Sequence, residues 1–231
     1  EPTVNRFCTG LGYKGFPDFK LSLAAELARK QPRMTRDIDP DDSAAKVAAK
    51  IFESTQASLS NTQDHLDLAA LQDVVAAMSN ARSIALCGLG ASASVALDAQ
   101  HKLLRFPIPI MAHTDIINQR VVAAGLGADD LLICISYTGR TTAMIELAEL
   151  AVSRGCQVAG ITSPHSPLAN TCPLVLGVES GEDTDRYTPM TSRIAQLVII
   201  DILATCLALE QGEAFADHLQ EVKRNLSQTR Q

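Results

Sequence analysis

The chain has 231 residues, 46% hydrophobic and 20% charged, with 13 Gly, 10 Pro and 6 Cys. That balance excludes a collagenous, disordered or disulfide-scaffold protein and suits one sizeable core with a small appendage. The net charge of −6 is uneven: residues 1–36 carry +4 and the remainder −10, so a polyanion contact would belong to the head.

Cys8, Cys87, Cys134, Cys156, Cys172 and Cys206 form no CxxC pair and have no clustered His partners. Reduced, mostly buried thiols in a cytoplasmic protein are expected, with no metal, no cofactor and no membrane partner. The most apolar run, 194–209, is interrupted by Gln196 and Asp201 and reads as a packing helix of the core or of a subunit seam. The chain opens on Glu1-Pro2-Thr3 without Met, and further sequence is expected before it.

In chain order, residues 1–8 read as a short helix with Pro2 in its first turn, followed by a Gly-punctuated bend over 10–15. A second helix is predicted over 17–29, with Phe19, Leu23 and Leu27 on one face, then a charged, Pro-containing linker to Asp42. Ser43 and Asp67 are placed to cap helices over 44–59 and 68–79. The pattern then changes to short β-rich runs at 83–87, 108–112, 131–135, 157–162 and 174–178. Helical segments at 94–104, 116–124 and 142–154 separate the first four. The Pro-rich link before the fifth predicts an irregular crossover or a brief helix. Helices over 191–211 and 213–228 close the chain. Strands apolar on both faces and alternating with helices imply a parallel sheet covered on two sides.

In such a sheet, ligands sit at the carboxyl ends of the strands, near a switch point in strand order. Two loops there are rich in Gly and hydroxyls: Gly88-Leu89-Gly90-Ala91-Ser92-Ala93-Ser94 and Ser136-Tyr137-Thr138-Gly139-Arg140-Thr141-Thr142. Each leads into a helix, where unsatisfied amides and the helix dipole favour an oxyanion. Ser and Thr at a helix start also serve as plain N-caps. Gly88-x-Gly90-x-x-Ala93 matches the dinucleotide fingerprint, but the second strand ends at Ala112-His113-Thr114, without the acidic residue that would hold a ribose. Neither loop contains the Gly-Lys-Ser/Thr of a Walker motif.

A strand ending in Gly-x-Gly-x-Ser and another in Ser-x-Thr-Gly-x-Thr resemble the sugar isomerase (SIS) domain, over about 81–209. The resemblance implies a three-layer α/β/α sandwich with a five-stranded parallel sheet that binds phosphosugars and dimerises, or assembles further, through helices. Carried onto this chain, Ser136, Thr138 and Thr141, with Tyr137, Gly139 and more loosely Arg140, would hold the phosphate. Gly90, Ala91, Ser92 and more loosely Ser94 would face the sugar. The stretch 188–193, with Ser192 and Arg193, resembles the segment that closes over it.

Residues 1–8 and Leu11-Gly12-Tyr13-Lys14-Gly15-Phe16 are similar to the end of the helix-turn-helix domain of RpiR-family regulators. That implies a truncated DNA-binding remnant over 1–30, a linker over 31–42 and an SIS domain with leading and trailing helices over 43–231. It also implies that Thr3, Asn5 and Arg6 enter the major groove of operator DNA while Lys14 neutralises phosphate. The head and loops most resemble a repressor of that family that senses 2-keto-3-deoxy-6-phosphogluconate, an Entner–Doudoroff intermediate. An SIS isomerase would instead need a base placed over the sugar, and the residues available are His101, His113, His165, Glu179 and Glu182. None falls in a recognisable catalytic motif, so a sensor is expected, with no catalytic residue.

Overall fold

A computed structural model describes residues 2–28, 38–185 and 188–227. The expected linker over 31–42 lies outside the described residues as far as position 37, as do the predicted helix ends Glu1, Arg29 and Gln228. The first two helices, α1 (Pro2–Gly10) and α2 (Phe16–Ala28), pair through a turn in which Gly12 takes φ 88°. The Phe16 N–H donates to Asn5 Oδ1 at 2.9 Å, so Asn5 caps the second helix, while Tyr13 and Phe19 meet edge to face.

Helix α3 (Ala44–Asp64) is capped by Ser43 and runs one turn beyond the predicted stop at Leu59. Its polar last turn is held by tertiary structure, for Thr62 is buried and its hydroxyl accepts from the Glu179 N–H at 3.2 Å. Asp67 caps α4 (Leu68–Asn80) by accepting from the Ala69 and Ala70 amides. Five strands follow: β1 (Ser83–Gly88), β2 (Ile110–His113), β3 (Asp130–Ser136), β4 (Gln157–Thr162) and β5 (Leu174–Gly177). The connecting helices are α5 (Ala91–Leu103), α6 (Ile116–Gly125), α7 (Thr142–Ser153) and a brief α8 (Pro167–Thr171). β2 begins two residues later than predicted; Pro109, which has no N–H, stays outside the ladder and offers only its carbonyl to Ile84.

All strand pairs are parallel, as the alternating pattern predicted, and the structure sets their order as β2-β1-β3-β4-β5. The period-two alternation sorts the side chains between two cores. Ile84, Leu86, Leu131, Ile133, Ile135 and Ile161 pack beneath α4, α5 and the last helix, α9 (Thr191–Ser227). Ala85, Cys87, Leu132, Cys134 and Val158 pack on the other face beneath α6, α7 and α8. The result is the expected α/β/α sandwich. The cysteines are free thiols, five of them buried, and burial pushes Cys87 and Cys172 up to about 12.

α9 breaks at Gly212, whose φ of 65° separates the two helices expected there. Its segment Thr191–Glu213 has a mean hydropathy of 1.8 and is long enough to cross a bilayer. Here it packs against α3, α4 and α5, with Ala195, Ile199, Ile200, Leu203 and Leu207 in the core. At the amino ends of β1 and β3, Arg82 grips the buried Asp130 with its Nη2 and Nε at 2.7 and 3.1 Å, and the Ser83 hydroxyl adds a bond of 2.8 Å. This brace pins the two strands at the end opposite the loops that leave β1 and β3.

Candidate functional site

Because β2 and β3 flank β1 on opposite sides, the loops leaving β1 and β3 part at the switch point and open a crevice between them. The β1 loop is built on Gly88, where an added Cβ would lie 2.8 Å from the Ser92 backbone carbon. Gly90 turns the chain with φ 56° and caps α5 without a side chain. Beneath them Gln119, 1% exposed, donates its amide to the Gly88 carbonyl at 3.0 Å and to the His113 carbonyl at 2.6 Å. A buried amide on α6 thus ties the ends of β1 and β2 together.

The β3 loop is held from below. Gly139, at φ 57°, sits so close to Ser166 and Thr162 that no side chain fits there. The Ser163 N–H donates to the Tyr137 carbonyl at 2.8 Å, and the Leu168 N–H to the Gly139 carbonyl at 3.1 Å. Thr141 stands at the N-cap of α7 but makes no side-chain capping bond, so its helix does not use its hydroxyl.

The two loops and the start of α9 enclose a cleft of about 160 Å³. Of the residues expected at the ligand, Ala91, Ser92, Ser136, Tyr137, Thr138, Thr141, Ser192 and Arg193 line it together. Four others do not. Gly90 lies exposed beside it, Ser94 spends its hydroxyl on the Ala91 carbonyl at 2.7 Å, and Gly139 is buried under the loop. Arg140 is exposed and pairs with Asp185 at 2.7 Å, which raises the guanidinium pKa and lowers that of the carboxyl.

The cleft also takes in Leu89, Thr184, Pro189 and Gln196, none of which was among the residues expected at the ligand. Gln196 is 1% exposed, and its Nε2 has no hydrogen-bond partner among the described residues. Its only sequence signal was a lone amide in an apolar run. Glu182, considered as a base, instead caps α9. Its carboxylate accepts from the Met190, Thr191 and Ser192 amides, the last two at 3.1 and 3.2 Å, and from the Ser192 hydroxyl. The other four such residues lie elsewhere. His101 and His165 are exposed, His113 is half-buried with its pKa lowered by burial, and Glu179 faces His65 at 3.8 Å. Among the described lining residues Arg193 carries the one full charge, and the rest offer hydroxyls, amides and apolar surface. Such a lining is chemically suited to an anion, through helix amides and hydroxyls.

At the head, Thr3 and Arg6 are exposed one helical turn apart on α1, and Lys14 is exposed in the turn that follows. Asn5 is exposed as well, but its side-chain oxygen is committed to α2.

Comparison with known proteins agrees with both halves of the chain. The SIS domain family matches residues 77–206, and the helix-turn-helix domain of the rpiR family matches residues 1–30. The chain is 44% identical over 230 residues to the HTH-type transcriptional regulator HexR of Escherichia coli and 45% identical to that of Pseudomonas aeruginosa, covering 80% and 81% of them. The Vibrio vulnificus NanR protein, solved as a complex with ManNAc-6P, superposes on 99% of the chain and 81% of its own, with a TM-score of 0.75 and 26% identity. With a match to the rpiR-type helix-turn-helix domain ahead of an SIS sandwich, and likeness over the whole of this chain to two HexR proteins, this chain belongs to the RpiR family of helix-turn-helix transcriptional regulators, in its HexR group.

Proposed function

We propose that this protein is a repressor of sugar catabolism whose SIS domain senses a phosphorylated sugar acid, 2-keto-3-deoxy-6-phosphogluconate, and releases operator DNA on binding it. The observation that carries this reading is the single cleft into which the β1 and β3 loops bring Ser92, Ser136, Thr138 and Thr141 beside the uncapped start of α7. In this reading the phosphate sits at Ser136, Thr138, Thr141 and the α7 amides, while Ala91 and Ser92 face the sugar. Ser192 and Arg193 meet its far end. The NanR complex with ManNAc-6P supports a phosphosugar as the ligand class. The described lining holds no carboxylate or imidazole for the carbon-to-carbon proton transfer of an isomerase, which favours a sensor.

The sensor works as a coupling free energy between two sites. Ligand drawn between the β1 loop, the β3 loop and α9 shifts helices at the seam of a homodimer or larger assembly, and so changes the spacing of the paired DNA-binding heads. Calorimetric titration with 2-keto-3-deoxy-6-phosphogluconate tests this, with Ser136→Ala weakening binding by about 1–3 kcal/mol through the lost phosphate contact. Unchanged affinity in that variant would remove the phosphate assignment, and slow conversion of a hexose phosphate would restore the isomerase. At the head, Arg6→Ala in a protein carrying the whole DNA-binding domain weakens operator binding and spares ligand affinity; loss of both would mean misfolding.

A further inference from the structure

Resting on the phosphosugar reading above, we propose that Gln196 and the amino end of α9 form a second anion seat, which takes the carboxylate of a phosphosugar acid and which Glu182 occupies until that ligand arrives.

Two independent observations meet here. Gln196 is a buried amide whose Nε2 has no partner among the described residues, and it lines the cleft one helical turn after Ser192. Native interiors leave few buried donors unpaired, and one at the wall of a cavity can be satisfied by an acceptor on a molecule that enters it. The second observation is the carboxylate already present. Glu182 takes three backbone N–H groups at the start of α9 together with the hydroxyl of buried Ser192, so this helix end is shaped for a carboxylate and stabilises one with its dipole. Arg193, from the same turn, also lines the cleft. The start of α9 thus gathers donors: Gln196, Arg193 and Ser192 in the cleft wall, and the backbone amides that Glu182 now holds. Across the cleft Thr141 and the start of α7 form the first seat. A phosphosugar without a carboxylate answers only one of the two.

Exchange of carboxylates would also carry the signal. Glu182 belongs to the connection between β5 and α9, and that connection is tied to the β3 loop at two further points. The Glu182 N–H donates to the Tyr137 hydroxyl at 3.3 Å, and Asp185 pairs with Arg140. A ligand carboxylate that displaces Glu182 releases this connection from the start of α9, whose later turns pack on α3, α4 and α5. A phosphosugar without a carboxylate leaves the clasp closed.

The test is calorimetry with 2-keto-3-deoxy-6-phosphogluconate, 6-phosphogluconate and glucose 6-phosphate on the parent chain, Gln196→Leu and Glu182→Gln, with thermal melting of each without ligand. Expected are tighter binding of the two acids by the parent, a loss of roughly tenfold or more for the acids alone in Gln196→Leu, and severalfold tighter acid binding in Glu182→Gln. Because Gln196→Leu removes an unpaired donor, it melts at or above the parent temperature; a lower melting point would make Gln196 a structural residue and overturn the proposal. Equal loss for acids and glucose 6-phosphate, or weaker acid binding in Glu182→Gln, would also overturn it. If the parent binds phosphosugars without preferring the acids, the second seat fails and the sensor reading stands. If the parent binds none of the three, the phosphosugar reading itself fails.

Discussion

The side-chain amide of Gln119 donates to the carbonyl oxygen of Gly88 across 3.0 Å, joining α6 to the last residue of β1, 31 positions earlier in the chain. The same nitrogen reaches the His113 carbonyl, so one buried donor satisfies two strand ends and sets where the β1 loop begins. In Gln119→Leu both carbonyls lose their donor, and the expected cost is roughly 1–3 kcal/mol. Urea unfolding measures that loss, and titration should show weaker phosphosugar binding because Ala91 and Ser92 follow directly from the loosened end. A variant as stable as the parent would mean that water replaces the amide.

Gly139 is a second point where a small change has a large effect. Its φ of 57° is costly for any residue with a Cβ, and that atom would run into Ser166 and Thr162. Gly139→Ala should therefore displace the loop that carries Thr138 and Thr141. Binding of any phosphosugar is expected to fall by at least tenfold, about 1.4 kcal/mol, while the far-ultraviolet circular dichroism stays that of an α/β protein. Retained affinity would show that the loop does not hold the phosphate.

Asp130 makes stability depend on pH in a stated direction. The Arg82 guanidinium beside it, with lesser help from the Ser83 hydroxyl and the Gly127 N–H, outweighs burial and holds its carboxyl below the usual carboxylate range. A carboxyl depressed in the folded state contributes stability above its unfolded pKa, near about 3.9, and loses it as pH falls through the folded value. Asp130→Asn should be less stable than the parent by roughly 1–2 kcal/mol at neutral pH, discounted because Arg82 is largely exposed. The gap should narrow as pH drops below about 4. Unfolding curves that stay equally far apart from pH 7 to pH 3 would refute the assignment.

How far the chain was legible without coordinates follows from the range of each interaction. The alternation of Ile84, Leu86, Leu131, Ile133 and Ile135 with Ala85, Cys87, Leu132 and Cys134 reports a strand buried on both faces, because side chains on a strand repeat every two residues. Asp67, at its cap, and Gly212, at its break, mark helix ends by local backbone chemistry. The hydroxyl-rich loops after β1 and β3 are local signals too, since a helix start exposes its amides whatever packs around it. These features needed only neighbours in sequence.

Strand order, register and packing decided the rest. Nothing near Gln196 in sequence distinguishes an amide that faces a cleft from one that interrupts a packing helix. Glu182 likewise reads as a free acid until the β5–α9 connection folds it onto the Met190, Thr191 and Ser192 amides. Asn5 looks like a base-reading side chain on α1, yet its oxygen goes to Phe16, 11 residues later. Sequence by itself determined which segments become strands and helices and which loops can hold an anion, because those depend on local periodicity and on unsatisfied helix amides. Tertiary structure alone decided which polar side chains meet in the cleft, because hydrogen bonds that span tens of residues exist only once the sheet has brought their partners within about 3 Å.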